Sequence, residues 1–133
     1  MNILLKFFAL LVFACSAQAC PINPWYHVAI DYERFLAKAD VAFLGKLKSY
    51  KKEGKYGQLA TFTVIKGFKS APKSGEDIVV KNHHNASCSR IFHPIDSAFY
   101  VFTTKTESGG YITDGYATFV PMNVALETNM GLK

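Results

Sequence analysis

Apolar and polar positions change rhythm several times along this chain. From Val28 to Ala39 they recur at helical spacing. Ile30, Phe35 and Leu36 share one face, with Asp31, Glu33, Arg34 and Lys38 turned to water. Pro21 and Pro24 lead into this helix along a stiff path, because each fixes φ and biases its predecessor toward extended geometry. From Val41 to Tyr50 the chain is first continuously apolar, then alternates around Lys46, Leu47 and Lys48, which predicts a strand. Lys51 to Gly57 is rich in charge and glycine and predicts a turn. Thr61-Phe62-Thr63-Val64-Ile65 alternates and is β-branched, as a half-buried strand should be. Gly67 to Gly75 reads as a loop, and Ile78-Val79-Val80 as a short strand. Ala98 to Thr103 is an aromatic and β-branched strand, and Ser108-Gly109-Gly110 a turn before a strand at Tyr111-Ile112-Thr113. Pro121 to Glu127 suits a short closing helix.

One early helix and about five strands, with turns at close spacing and no βαβ alternation, predict a mainly β chain folded as a small antiparallel barrel. No internal repeat, low-complexity tract or linker divides it.

The first residues follow a different logic. Lys6, the apolar run from Phe7 to Ala14 and the small-residue sequence Ala17-Gln18-Ala19 have the form of a secretory signal peptide over residues 1–19. The apolar run is shorter than the roughly 20 residues a membrane span needs, so no transmembrane segment is expected. Cleavage after Ala19 would leave residues 20–133 as a single domain with Cys20 first. A bacterial lipoprotein also begins with cysteine, but its signal usually carries a large aliphatic residue where Ala17 stands. Ordinary secretion, extracellular or periplasmic, is therefore the expectation. Of three cysteines, Cys15 leaves with the signal, and Cys20 and Cys88 remain. An even pair in an exported chain reads as one disulfide. Its loop of about 69 residues would stabilise the fold by roughly 4 kcal/mol in the chain-entropy account. Tying down the N-terminus is a sufficient role for such a bond.

Charge adds a candidate surface. The formal charge of +5 falls to +4 without Lys6. Lysines concentrate at Lys46, Lys48, Lys51, Lys52 and Lys55, then Lys66, Lys69 and Lys73. Such a cluster can attract an anionic glycan or surface partner, although keeping the protein solvated is the simpler role. No catalytic motif is present: there is no G-x-S-x-G, H-E-x-x-H, Walker loop or C-x-x-C, so an enzyme is not expected. His83, His84 and His93 around Cys88 are the best metal candidates, but their spacing fits no standard zinc pattern, and no cofactor is expected. Asn85-Ala86-Ser87 fits the N-glycosylation sequon. Tyr50, Tyr56, Phe62, Phe92, Phe99, Tyr100 and Phe102 could stack on bases, but aromatics at strand positions more often form core, so no nucleic-acid partner is expected.

Several of these features occur together, in order, in one known family. They are the signal ending at Cys20, the proline-containing segment after it, and Phe35-Leu36-Ala37-Lys38-Ala39-Asp40-Val41. They continue with Lys66-Gly67-Phe68, Asp77-Ile78-Val79 leading to Cys88, Phe99 to Val101, Gly109-Gly110-Tyr111-Ile112-Thr113 and Phe119-Val120-Pro121. In this order they resemble the netrin-like domain of the tissue inhibitors of metalloproteinases, across nearly the whole mature region.

That resemblance implies a five-stranded OB-fold Greek-key barrel whose N-terminus acts as a wedge. In the family, the first cysteine's α-amino nitrogen and carbonyl oxygen chelate the zinc of a target metalloproteinase. Cys20 would take that role here, with Cys88 as its disulfide partner and Pro21 and Ile22 as contacts to the protease pocket. A catalytic zinc keeps an open position that such a chelate can fill. The amine must be uncharged to donate, and an α-amino group titrates near 8, so losing the proton at neutral pH is inexpensive. The chain also departs from the family. It carries one cysteine pair rather than three disulfides, and Ile22 and Leu36 stand near positions of family cysteines. Pro21 replaces the usual small polar residue, and the family's second cysteine-rich domain has no counterpart in this sequence. With so few cysteines the chain looks more like a bacterial relative than an animal inhibitor. Two readings follow: a secreted metalloprotease inhibitor, or a non-inhibitory netrin-like binding or structural module that uses the Lys46–Lys55 region.

Overall fold

Two strands with apolar side chains at consecutive positions set the architecture, because a strand buried on both faces must lie between two layers. The computed structural model describes residues 24–55, 57–83, 90–114 and 118–132. Its elements are helices α1 (Pro24–Ile30) and α2 (Tyr32–Lys38), strands β1 (Val41–Glu53), β2 (Gly57–Lys69), β3 (Asp77–His83), β4 (Ala98–Lys105), β5 (Tyr111–Asp114) and β6 (Phe119–Pro121), and helix α3 (Met122–Glu127). Strands β1, β2, β3, β5 and β4 are neighbours in that order, and β4 pairs back onto β1, closing a five-stranded barrel. Strand β6 adds to the other side of β4 through Phe99↔Pro121, Tyr100↔Val120 and Val101↔Phe119.

The antiparallel expectation needs one correction, since β3 and β5 run parallel. A closed ring with an odd number of strands cannot alternate direction all the way round, so at least one neighbouring pair must be parallel. Helices and strands also differ from the pattern read in the sequence. The single helix expected from Val28 to Ala39 is two short helices broken at Asp31, whose ψ of 28° leaves helical geometry. The break turns Val28 and Ala29 inward and leaves Ile30 about three-quarters exposed. Ile30 therefore does not share a buried face with Phe35 and Leu36. The turn expected over Lys51 to Gly57 is smaller, because β1 runs to Glu53 and β2 begins at Gly57. The loop expected from Gly67 begins only after Lys69.

Strand parity sorts the core into two layers. Val41, Phe43 and Leu47 of β1, Phe62 and Val64 of β2, Ile78 and Val80 of β3, and Phe99 and Val101 of β4 fill the barrel. Ala42 and Leu44 of β1 and Tyr100 and Phe102 of β4 point the other way. There they meet Val28 and Ala29 of α1 and Val124 and Ala125 of α3. The unbroken apolar start of β1 thus reports burial on both faces, and its later alternation reports the loss of the helical layer. Gly45 sits at a register shift, where an added Cβ would lie 2.7 Å from the Phe43 ring and 3.1 Å from the Phe62 Cβ. No side chain larger than hydrogen fits there without displacing that ring.

Polar contacts fix the register where β1 enters the barrel. The Thr103 hydroxyl donates to the Val41 carbonyl at 3.0 Å, and the Lys105 backbone N–H donates to the Asp40 carboxylate at 2.6 Å. Lys69 donates to the carbonyls of Leu36 and Ala37 at 3.2 and 3.1 Å. It thereby satisfies orphan acceptors at the end of α2 and ties that helix to β2. No helix among the described residues is long and apolar enough to cross a membrane.

Candidate functional site

The inward side of a strand normally carries apolar residues, so a polar side chain at an inward position must find partners inside. Gln58 occupies the inward parity of β2 with Ala60 and Phe62, and Asn82 that of β3 with Ile78 and Val80. Both are buried, as is Thr113 of β5. Gln58 and Asn82 are opposite in register, and Asn82 is opposite Thr113. Their side chains form a continuous network.

The network holds the backbone of residues 90–92. The Gln58 amide reads both backbone groups of Phe92: its Nε2 donates to the Phe92 carbonyl at 2.8 Å, and its Oε1 accepts from the Phe92 N–H at 2.9 Å. Asn82 Nδ2 donates to the Arg90 carbonyl at 2.9 Å and lies 3.4 Å from Gln58 Oε1. The Thr113 hydroxyl donates to Asn82 Oδ1 at 3.0 Å. Irregular backbone is thus satisfied inside the barrel mouth, and the Phe92 ring enters the core. It lies 4.1 Å from Phe119, 4.8 Å from Phe62 and 5.3 Å from Phe99, centroid to centroid.

The first helix reaches the same place. The Trp25 ring sits 6.1 Å from Phe119 and lies under the Arg90 guanidinium at 5.6 Å. The Trp25 indole N–H is buried and makes no hydrogen bond among the described residues. Beside it runs an open groove of about 640 Å³ lined by Trp25, His93, Pro94, Phe99, Pro121 and Met122. Tyr26, next in α1, donates its hydroxyl to Glu127 and so links α1 to α3. That hydrogen bond raises the Tyr26 pKa above its ordinary value of 10.0, aided by desolvation and the Glu127 charge.

Cys20, Pro21, Ile22 and Cys88 lie outside the described residues, as do His84, Tyr56 and the sequon Asn85-Ala86-Ser87. Two segments flanking them are nevertheless brought together. Trp25 is five residues beyond Cys20, Arg90 is two beyond Cys88, and their side chains touch. His83 and His93 are exposed, and no group of three metal-ligating side chains is gathered among the described residues. Phe62, Phe92, Phe99, Tyr100 and Phe102 are buried in the two core layers, so they offer no stacking surface. Tyr50 is exposed at the outer part of β1.

The lysine region is more neutral than its sequence suggests. Lys48 pairs with Asp77 at 2.7 Å, Lys46 with Asp96 at 3.7 Å, and Lys81 with Glu53 at 3.6 Å. Lys48 and the Thr63 hydroxyl both donate to Asp77 and lower its pKa below the ordinary 3.8. Composition alone missed the Gln58–Asn82–Thr113 network and the Trp25–Arg90 contact. A usable signal existed in the strand parity, which places Gln58 and Asn82 inward.

Compared with known proteins, the chain matches no family model and no curated protein.

Proposed function

We propose that this protein is a secreted metalloendopeptidase inhibitor built on a netrin-like OB-fold barrel. The single observation that carries the reading is the contact between Trp25 and Arg90 over the Gln58–Asn82 network. It holds at one barrel mouth the two segments that lead, over five and two residues, to Cys20 and Cys88. A disulfide between those cysteines would need such proximity. The barrel order, with β3 and β5 parallel, also agrees with the connectivity of an OB fold.

In this reading the amine and carbonyl of Cys20 take the open position on the target's zinc. Pro21 and Ile22 enter its specificity pocket, and the protein holds no metal of its own. A disulfide to Cys88 restrains the wedge before binding, so less entropy is lost on association. Intact mass first checks that the exported chain begins at Cys20 and has lost the two hydrogens removed when a disulfide forms. The decisive comparison sets that chain against one with an extra N-terminal alanine, using a panel of zinc proteases. Inhibition by the first and loss in the second is expected, because the added residue converts the chelating amine into an amide. Equal behaviour of the two sinks the proposal.

The second reading is a netrin-like binding module in the periplasm or at the cell surface, meeting an anionic partner through the Lys46–Lys55 region. It is favoured by the exposure of every residue from Lys48 to Glu53.

A further inference from the structure

Strand β1 is paired along its whole length on one side only. Against β2 it runs to Glu53, whereas against β4 the ladder covers Val41 to Lys46. Two further bonds extend that side by one residue: Leu47 donates to the Ser97 carbonyl at 2.9 Å and accepts from the Asp96 N–H at 2.8 Å. Beyond Leu47, no described residue pairs with the β4 side of β1. Lys48, Ser49, Tyr50, Lys51, Lys52 and Glu53 are all exposed. Among the described residues the outer half of β1 is therefore an open sheet edge, whose alternate backbone N–H and C=O groups are left without a strand on the β4 side.

The side chains on that edge define what fits. Lys48 and Glu53 have partners in Asp77 and Lys81, whereas Lys51 and Lys52 make no ion pair among the described residues. Register places Ser49 and Lys51 on the face of Thr61 and Leu59, and Tyr50 and Lys52 on the face of Ala60 and Gln58. An added strand would thus meet one unpaired lysine on each face, with Tyr50 beside Lys52. A second copy of this chain is a poor occupant, because Lys51 and Lys52 of both copies would be brought together. A sulfated glycan could use the two cations, but it has no backbone amides to match the ladder.

We propose that the outer edge of β1 docks an extended acidic peptide, which adds a strand beside Lys48–Glu53 and sets carboxylates against Lys51 and Lys52. Backbone pairing supplies the affinity, and the lysines with Tyr50 select the sequence. This deepens the binding-module reading, since it names the partner's chemistry and the way it is held.

The test uses a capped, fluorescent peptide of about ten residues, alternating Glu with Val and Thr, to cover the edge. Binding is followed by anisotropy. Two further peptides carry N-methyl groups on the odd or the even backbone nitrogens. Binding of the parent is expected, with one methylated set failing and the other still binding, because only alternate amides face the edge. The K51E/K52E protein should bind about tenfold more weakly or worse, as two attractions become repulsions. Its unchanged circular dichroism and melting temperature would show that it folds. No binding at about 1 mM peptide, or equal binding of both methylated sets, overturns the proposal. Displacement of the peptide by a sulfated oligosaccharide, without sensitivity to methylation, also overturns it while leaving the anionic-partner reading intact. An edge-to-edge dimer by sedimentation, abolished by K51E/K52E, overturns it in favour of self-association.

Discussion

Two polar clusters join neighbouring strands of this barrel, and they hold it in opposite ways. The Gln58–Asn82–Thr113 network spans β2, β3 and β5 from inside, while the Lys48–Asp77–Thr63 cluster spans β1, β2 and β3 from outside. Each draws on the same strand alternation, one on inward positions and the other on outward ones. Inside, every donor and acceptor that loses its partner stays away from water, so removal leaves a penalty. Outside, water and salt replace a lost partner, so the pair contributes little. The inner cluster also binds backbone outside the ladder, at Phe92 and Arg90. It thereby fixes the backbone at Arg90 and Phe92 inside the barrel mouth, which the outer cluster does not.

The sharpest way to break this contrast is Gln58→Ala. It strands the Phe92 N–H and carbonyl inside the mouth and should lower unfolding free energy by roughly 2–4 kcal/mol, read from urea titration. A loss below about 0.5 kcal/mol, the level of an ordinary surface change, would show that the network is dispensable. Thr113→Val keeps the shape but removes one donor to Asn82. A loss of about 1 kcal/mol is expected, with urea unfolding again the measure. Arg90→Ala takes the cation from the Trp25 face while leaving the Arg90 carbonyl bonded to Asn82. Destabilisation of about 0.5–1 kcal/mol is expected, with a change in tryptophan fluorescence that Thr113→Val does not share.

The smallest effect should come from Asp77→Asn, which tests the outer cluster. Asp77 has a lowered folded pKa, so the unfolded chain binds its proton more readily. Its contribution is present above the ordinary value of 3.8 and is lost as pH falls through the lowered folded value. The variant should therefore show a shallower loss of stability in acid below 3.8 and near-identical stability at neutral pH in high salt. A large loss at neutral pH would erase the distinction between the clusters.

Much of the barrel can be read directly from alternation. Thr61 to Ile65, Ile78 to Val80, Ala98 to Thr103 and Tyr111 to Thr113 all lie within observed strands. The helical segment was less legible: its periodicity spans Asp31, yet the chain breaks there and Ile30 turns outward. A local pattern cannot register that break, because it depends on how α1 meets β6 and α3. The inhibitory residues expected from family resemblance, Cys20, Pro21, Ile22 and Cys88, remain proposals. The residues flanking them became visible only in three dimensions.

By itself the sequence determined where the centres of β1 to β5 lie, though not their full extents, because alternation and β-branching are local properties. It also determined that β1 changes character near Gly45, since a run buried on two faces reads differently from one buried on a single face. Only the tertiary structure decided that β3 and β5 are parallel, that Gln58 clasps Phe92, and that Trp25 meets Arg90. Each of these joins residues at least 31 positions apart, or follows from ring closure, and no local pattern encodes either. The free edge of β1 has the same origin, because it exists only where β4 ends.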